Sequence, residues 1–213
     1  MPSTTILVSL GILVVSFLAG IAVYALISKD TQANKRKQIE HVVGLVINFI
    51  IYIWIGKIIV NLTKFIQDPL SILAYPSNSY AIYIATILLA INLLYRYKRK
   101  GDSISSIAYT FLPIFLSASF LYEFLQIVVE QNSYNIIYLI LIAVLMLFYI
   151  VMYGRVSVEP LSLLIGLALL IGQIICTSLV NATIFSFRLS PIYFIVLLVL
   201  LVSIVLYRRK RKV

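Results

Sequence analysis

The chain has 213 residues, 62% of them hydrophobic and only 11% charged, with a formal net charge of +10. Soluble domains carry about 25% charged residues, so this composition excludes a water-soluble globule and indicates an integral membrane protein. A single cysteine, Cys176, and a single histidine, His41, exclude an intramolecular disulfide and a His/Cys metal cluster.

Seven apolar runs are marked at 4–28, 42–62, 80–95, 107–129, 134–153, 161–180 and 189–207. Most approach the ~20 residues a helix needs to cross about 30 Å of hydrocarbon. The runs are continuously apolar rather than alternating, so they predict helices and not a β-barrel. The expected fold is an all-α, polytopic bundle of seven transmembrane helices, forming one integral membrane domain over residues 1–213.

The basic residues decide the orientation. Lys29, the 35–37 cluster, the 96–100 cluster, Arg155 and the 208–212 cluster all lie on one set of connections. Lys64 and Arg188 lie on the other, and Lys57 falls within a span. This asymmetry predicts an outside N-terminus and a cytoplasmic C-terminus, and it makes the positive charge a topology signal rather than a nucleic-acid footprint.

In the first run, Val23-Tyr24-Ala25 has the small residues of a signal-peptide cleavage site. The leading MPSTT lacks a positive charge, and cleavage would place the 35–37 cluster outside, so the run is read as an uncleaved helix. Ser9, Ser16 and Gly20 share a face and predict close helix packing. The polar connection from Lys29 to His41 follows, where His41 reads as a solvated or headgroup contact rather than a catalyst.

The second run carries Lys57 six residues, about 9 Å, below its external end. Asn61 and Lys64 continue that face, and Trp54 is a natural interfacial anchor. A lysine here either pairs with an acid or snorkels its ammonium to the surface. Connection 63–79 has an apolar patch at Leu70, Ile72 and Leu73 before a Pro-Ser-Asn turn, so it is expected in the interface or as a short re-entrant piece. The third run, 80–95, is the shortest and borrows from its flanks.

The fourth run holds the costliest residues. Ser119, Glu123, Gln126 and Glu130 leave a helix within about 60° of one another. A carboxylate in hydrocarbon costs ~2.5–3.5 kcal/mol on insertion scales, so this wedge must turn from lipid toward a partner or cavity. Pro113 is expected to kink the inner half. The fifth run has no charged or amide side chain after Asn135 and reads as a lipid-facing or packing helix.

In the sixth run, Gly166, Gln173 and Thr177 share a face, flanked by Cys176, with Gln173 about 12 Å below Asn181. The seventh run is apolar apart from Ser203 and ends in the basic tail 208–213, which suits anionic lipid headgroups at ~1 kcal/mol per basic residue. Asp68-Pro-Leu-Ser-Ile-Leu and Glu159-Pro-Leu-Ser-Leu-Leu resemble each other across three spans, the pattern of an inverted repeat.

Lys57, Glu123 and Gln173 thus share one depth beneath the external face. Were their helices neighbours, Lys57 and Glu123 would pair, with Asn61, Ser119, Gln126 and Thr177 completing a polar pocket and Glu130, Lys64 and Arg188 at its mouth. A buried pair needs such extra hydrogen bonds because desolvation can exceed the Coulomb gain. The bland reading is a strut that fixes helix register.

Several reactions drop out. Asp30, Asp68 and Asp102 all lie in connections, which removes intramembrane aspartyl proteolysis, and no HExxH, GxSxG or Walker glycine loop occurs. The last run has no lysine for a retinal Schiff base. Ser119 with Lys57 is the only serine–lysine arrangement left, and nothing makes it specific. The matches to a glycosylation pattern at Asn61 and Asn181 lie against the membrane and are read as chance, in keeping with a prokaryotic Ile/Lys/Asn/Tyr usage. No cofactor or metal is implied, and the expected ligand is an ion or small molecule. The expected function is a small permease or transport-related protein of the cell membrane, with Glu123 as proton or cation site and Lys57 as counter-charge. The alternatives are a non-catalytic membrane subunit or assembly factor and, less supported, a membrane enzyme acting on a lipid-linked substrate.

Overall fold

A computed structural model describes residues 2–69, 78–100, 104–130, 135–180, 182–185 and 187–210. It contains helices α1 (Pro2–Ile27), α2 (Gln32–Val60), α3 (Leu62–Gln67), α4 (Ser79–Lys100), α5 (Ile104–Glu130), α6 (Ile136–Met152), α7 (Val158–Leu179) and α8 (Pro191–Lys210). Among the described residues there is no β-strand, only isolated bridges at Tyr153/Val156 and Ile184/Phe187. The apolar patch in connection 63–79, and with it most of the first copy of the suspected repeat, lies outside the described residues, as does the turn at 131–133.

Among the described residues, five helices are long and apolar enough to cross a membrane: Val8–Ile27, Gln32–Val60, Ser79–Arg96, Ile107–Val129 and Val158–Leu179. The apolar helices Ile136–Met152 and Pro191–Leu206 are shorter. Where large apolar side chains point supports the membrane reading independently of length. Leu18, Ile47, Ile87, Val128, Val144, Ile175 and Val199 are exposed, while Ser16, Ser119, Glu123, Gln126 and Gln173 are buried. Helices that are oily outside and polar inside are stable in lipid, whereas contiguous apolar patches of this kind are rare on soluble monomers.

The chain divides into two compact units, one of residues Met1–Lys29 with Tyr109–Val213 and one of Asp30–Ala108. In the first, α1 buries Ile12, Ser16, Gly20 and Tyr24, and Ser28 just past its end continues this stripe of every fourth residue. At Gly20 a Cβ would stand 2.5 Å from the Ile114 carbonyl oxygen and 3.2 Å from the Ala118 Cβ, so only glycine lets α1 approach α5 this closely. The small-residue face expected in the first run is therefore used for packing at Gly20. Helix α5 continues through Pro113. Helix α6 buries Tyr138, Ile142, Leu145 and Tyr149, a coiled-coil-like spacing. These join Leu112 and Leu116 of α5 and Leu161 and Ile165 of α7 in one apolar core.

In the second unit, α2 and α4 form an antiparallel hairpin. Gly56 lies against Ala81, whose carbonyl oxygen would be 2.6 Å from an added Cβ. Four residues earlier, Tyr52 Oη accepts a 2.7 Å hydrogen bond from Asn92 Nδ2. Asn78 Oδ1 accepts from the Ala81 N–H at 3.1 Å and caps the start of α4. Helix α2 begins at Gln32, ten residues before the apolar run, so the basic segment expected as a connection is mostly helical. Its composition favours helix, and Arg36 Nε donates to Glu40 Oε1 at 3.0 Å across one turn.

Candidate functional site

Glu123 lies in the most buried stretch of α5 and is 2% exposed. The wedge expected from spacing is real as far as it is described: Ser119, Glu123 and Gln126 are all buried. Glu130 is the last residue of α5, and its side chain lies outside the described residues.

The partner of Glu123 in its own unit is an amide. Asn135 Nδ2 donates to Glu123 Oε2 at 2.8 Å. The same nitrogen also donates to Thr183 Oγ1 at 2.8 Å and to the Thr183 carbonyl at 3.2 Å. In return, the Thr183 N–H donates to Asn135 Oδ1 at 3.1 Å. Asn135 is the cap residue of α6, so one side chain joins the carboxylate on α5, the start of α6 and the segment after α7. That segment is tightly folded: Ile184 and Phe187 exchange backbone hydrogen bonds of 3.0 and 2.9 Å. Between them Phe185 sits in the left-handed region at φ 47°. Its ring packs edge-on against Tyr122 at 5.0 Å and against Phe115 at 6.0 Å, contacts that hold a conformation phenylalanine otherwise avoids.

One turn into α6, Tyr138 is fully buried and its hydroxyl is flanked by Ser119 of α5 and Gln173 of α7, within the field of Glu123. Ser119 Oγ, Tyr138 Oη and both Gln173 amide atoms are enclosed, and the Tyr138 hydroxyl has Ser119 and Gln173 as its hydrogen-bonding neighbours, though without good distance-and-angle geometry. The buried carboxylate is itself expensive, with an effective desolvation penalty of several kcal/mol.

The other expected residues have local partners. Gln126 Nε2 donates to Tyr122 Oη at 3.3 Å. Thr177 Oγ1 donates to the Gln173 carbonyl at 2.6 Å, so its proton is spent on its own helix. Gly166 is half-buried, with room for a Cβ at ordinary contact distance from Leu201; the buried glycine of α7 is Gly172, against Leu141. Lys57 and Asn61 belong to the second unit. Lys57 is 7% exposed, with its ammonium 5.6 Å from the centroid of the Trp54 ring. Asn61 Nδ2 donates to the Lys57 carbonyl at 3.0 Å, which makes Asn61 the terminator of α2.

Asn135, Tyr138 and Thr183 did not stand out in the sequence. The reading of the fifth run as a packing or lipid-facing helix holds for most of its length, since Ile136, Ile140, Val144 and Leu147 are exposed. It misses the polar end, where Asn135 and a tyrosine one turn later share a face; a count of charged and amide side chains alone passes over a tyrosine.

Chemically, the first unit offers one buried carboxylate, neutral amides and hydroxyls in its interior. Among the described residues no group of three or more His, Cys, Asp or Glu could hold a metal ion. No protein-family model, characterised protein or solved structure matches this chain.

Proposed function

We propose that the chain is a small permease or transport-related protein of a prokaryotic cell membrane, crossing it seven times with its N-terminus outside and its basic C-terminus cytoplasmic. In this reading the 35–37, 96–100 and 208–212 clusters rest on anionic headgroups, and the site of transport chemistry is Glu123. One observation carries it: a carboxylate enclosed in the interior of the first unit, held by a neutral amide, with the buried Tyr138 hydroxyl within its field. Carboxyl groups inside a membrane are costly and are characteristic of proton relays and ion pathways.

The test is flux in proteoliposomes containing a pH-sensitive dye, driven by imposed proton, sodium or potassium gradients, for the wild type and Glu123→Gln. Glutamine keeps the shape and can still accept from Asn135. The expected result is flux in the wild type and its loss in a variant that remains folded. Equal signals from wild type, variant and empty vesicles would refute it.

The alternative, a non-catalytic membrane subunit or assembly factor, is favoured by the reciprocal bonding of Asn135 and Thr183, which suits a strut pinning the segment after α7. On that reading Glu123→Gln lowers thermal stability and changes no flux.

A further inference from the structure

The side-chain amide of Asn135 meets three acceptors with only two hydrogens. Its Nδ2 stands 2.8 Å from Glu123 Oε2, 2.8 Å from Thr183 Oγ1 and 3.2 Å from the Thr183 carbonyl oxygen. The amide cannot turn over, because its Oδ1 accepts from the Thr183 backbone N–H at 3.1 Å and a backbone N–H can only donate. This arrangement is complementary to an ionised Glu123, which is acceptor-only. A protonated carboxyl either presents its O–H to the Asn135 N–H, donor against donor, or turns its carbonyl oxygen there. In the second case a charge-assisted bond becomes a neutral one about half as strong.

On the other side of that amide is the segment Ala182–Phe185. Phe185 sits at φ 47°, and its ring rests on Phe115 and on Tyr122, the residue before Glu123. Ala182 is buried, and its N–H donates to the Cys176 carbonyl at 3.4 Å, so the segment closes over the last turn of α7. A strained backbone persists only where its surroundings over-determine it, and such residues cluster at switches. Resting on the transport reading above, we propose that Ala182–Phe185 is a gate over Glu123, latched through Asn135 while the carboxylate is charged and released when Glu123 takes up a proton from water. Among the described residues, the titratable groups around the carboxylate are Tyr122 beside it on α5, Tyr138 of α6 and, next to Tyr138, Cys176 of α7. Tyr24 of α1 accepts from Thr110, Tyr193 of α8 packs on Phe194, and Arg188 on the segment after α7 is exposed. The latch therefore reads the charge of Glu123.

Cys176 makes the test local, because it is the chain's single cysteine, is buried, belongs to the same unit and is hydrogen-bonded to Ala182. A fluorogenic maleimide therefore reports when the segment lifts or the unit opens. The full chain in detergent is labelled below its melting transition, from alkaline to mildly acidic pH. Each rate is divided by that of the denatured chain at the same pH, which removes the reagent's preference for thiolate. The ionised form is the latched one, so protection is present at high pH and is lost as the pH falls through the titration of Glu123. The relative rate of the wild type should rise on the order of tenfold, with the steepness of one proton, as the charged acceptor becomes neutral. Glu123→Gln, neutral at every pH, and Asn135→Ala, which lacks the latch, should both be flat at the raised level. If one of them does not fold, the other and the wild-type profile decide the matter.

A relative rate in the wild type that ignores pH, or a wild-type pH response in either variant, would overturn the gate. A proton-dependent Cys176 signal without flux under any gradient keeps the gate and removes the permease reading. Flux that requires Glu123 while the Cys176 profile stays flat does the reverse.

Discussion

Replacing Asn135 with alanine removes the side chain that ties three segments of the first unit together. It deletes one hydrogen bond to a carboxylate at 2.8 Å and the exchange with Thr183 at 2.8 and 3.1 Å. A bond to a charged acceptor contributes about 1.5–3 kcal/mol and each neutral bond about 1 kcal/mol, so the expected loss is roughly 3–5 kcal/mol. For a chain of this size about 1 kcal/mol lowers the midpoint by roughly 2–4 °C, which makes the change easy to resolve by maleimide labelling of Cys176 on heating. Thr183→Val is the control, since it removes one hydroxyl while leaving the backbone N–H to Asn135 Oδ1; it should cost about 1 kcal/mol. Alanine at 135 within about 1 kcal/mol of wild type, or valine at 183 as damaging as alanine at 135, would refute the view that this amide is the hub.

Two glycine changes should act on different units and be told apart by their probes. Gly20→Ala forces a shift of the Ile114 backbone and should destabilise the first unit by about 1–3 kcal/mol, read at Cys176. Gly56→Ala meets the Ala81 carbonyl in the second unit and should lower the transition seen by the fluorescence of Trp54, the chain's one tryptophan. Equal shifts at both probes for either change would contradict local origins. Lys57→Met keeps the buried stem and removes a contact with a half-exposed ring, worth about 0.5–1 kcal/mol, so its Trp54 transition should move little. A loss of several kcal/mol would reveal a stronger partner for the ammonium than that ring.

The parts of this architecture legible in the sequence are those set by local rules. Glu123 had to turn from lipid, and helical spacing then carries Ser119 and Gln126 with it; all three are buried. Gln173 and Thr177 follow by the same logic on α7. Boundaries drawn by polarity were less faithful, because a polar segment such as Gln32–His41 can be helical where helix formers and an Arg36–Glu40 pair favour it. The bond between Asn135 and Thr183 spans 48 residues and no local pattern encodes it. The same holds for Phe185, whose positive φ is held by rings on α5, and for Tyr138, whose role depends on which helices surround it.

The apolar core of the first unit has a consequence for rate. From Tyr138, α6 runs on through Ile142 and Leu145 to Tyr149, among Leu112, Leu116, Leu161 and Ile165, and together they make a dry, close-packed layer. On the proposed transport reading, an ion at Glu123 would not percolate through that layer; the helices would have to part before it could leave along them. Turnover should then be paced by a slow opening event, on the microsecond-to-millisecond scale of collective helix motion or slower, and not by diffusion of the ion. Such a carrier speeds up steeply on warming, whereas a water-filled pore hardly notices the temperature.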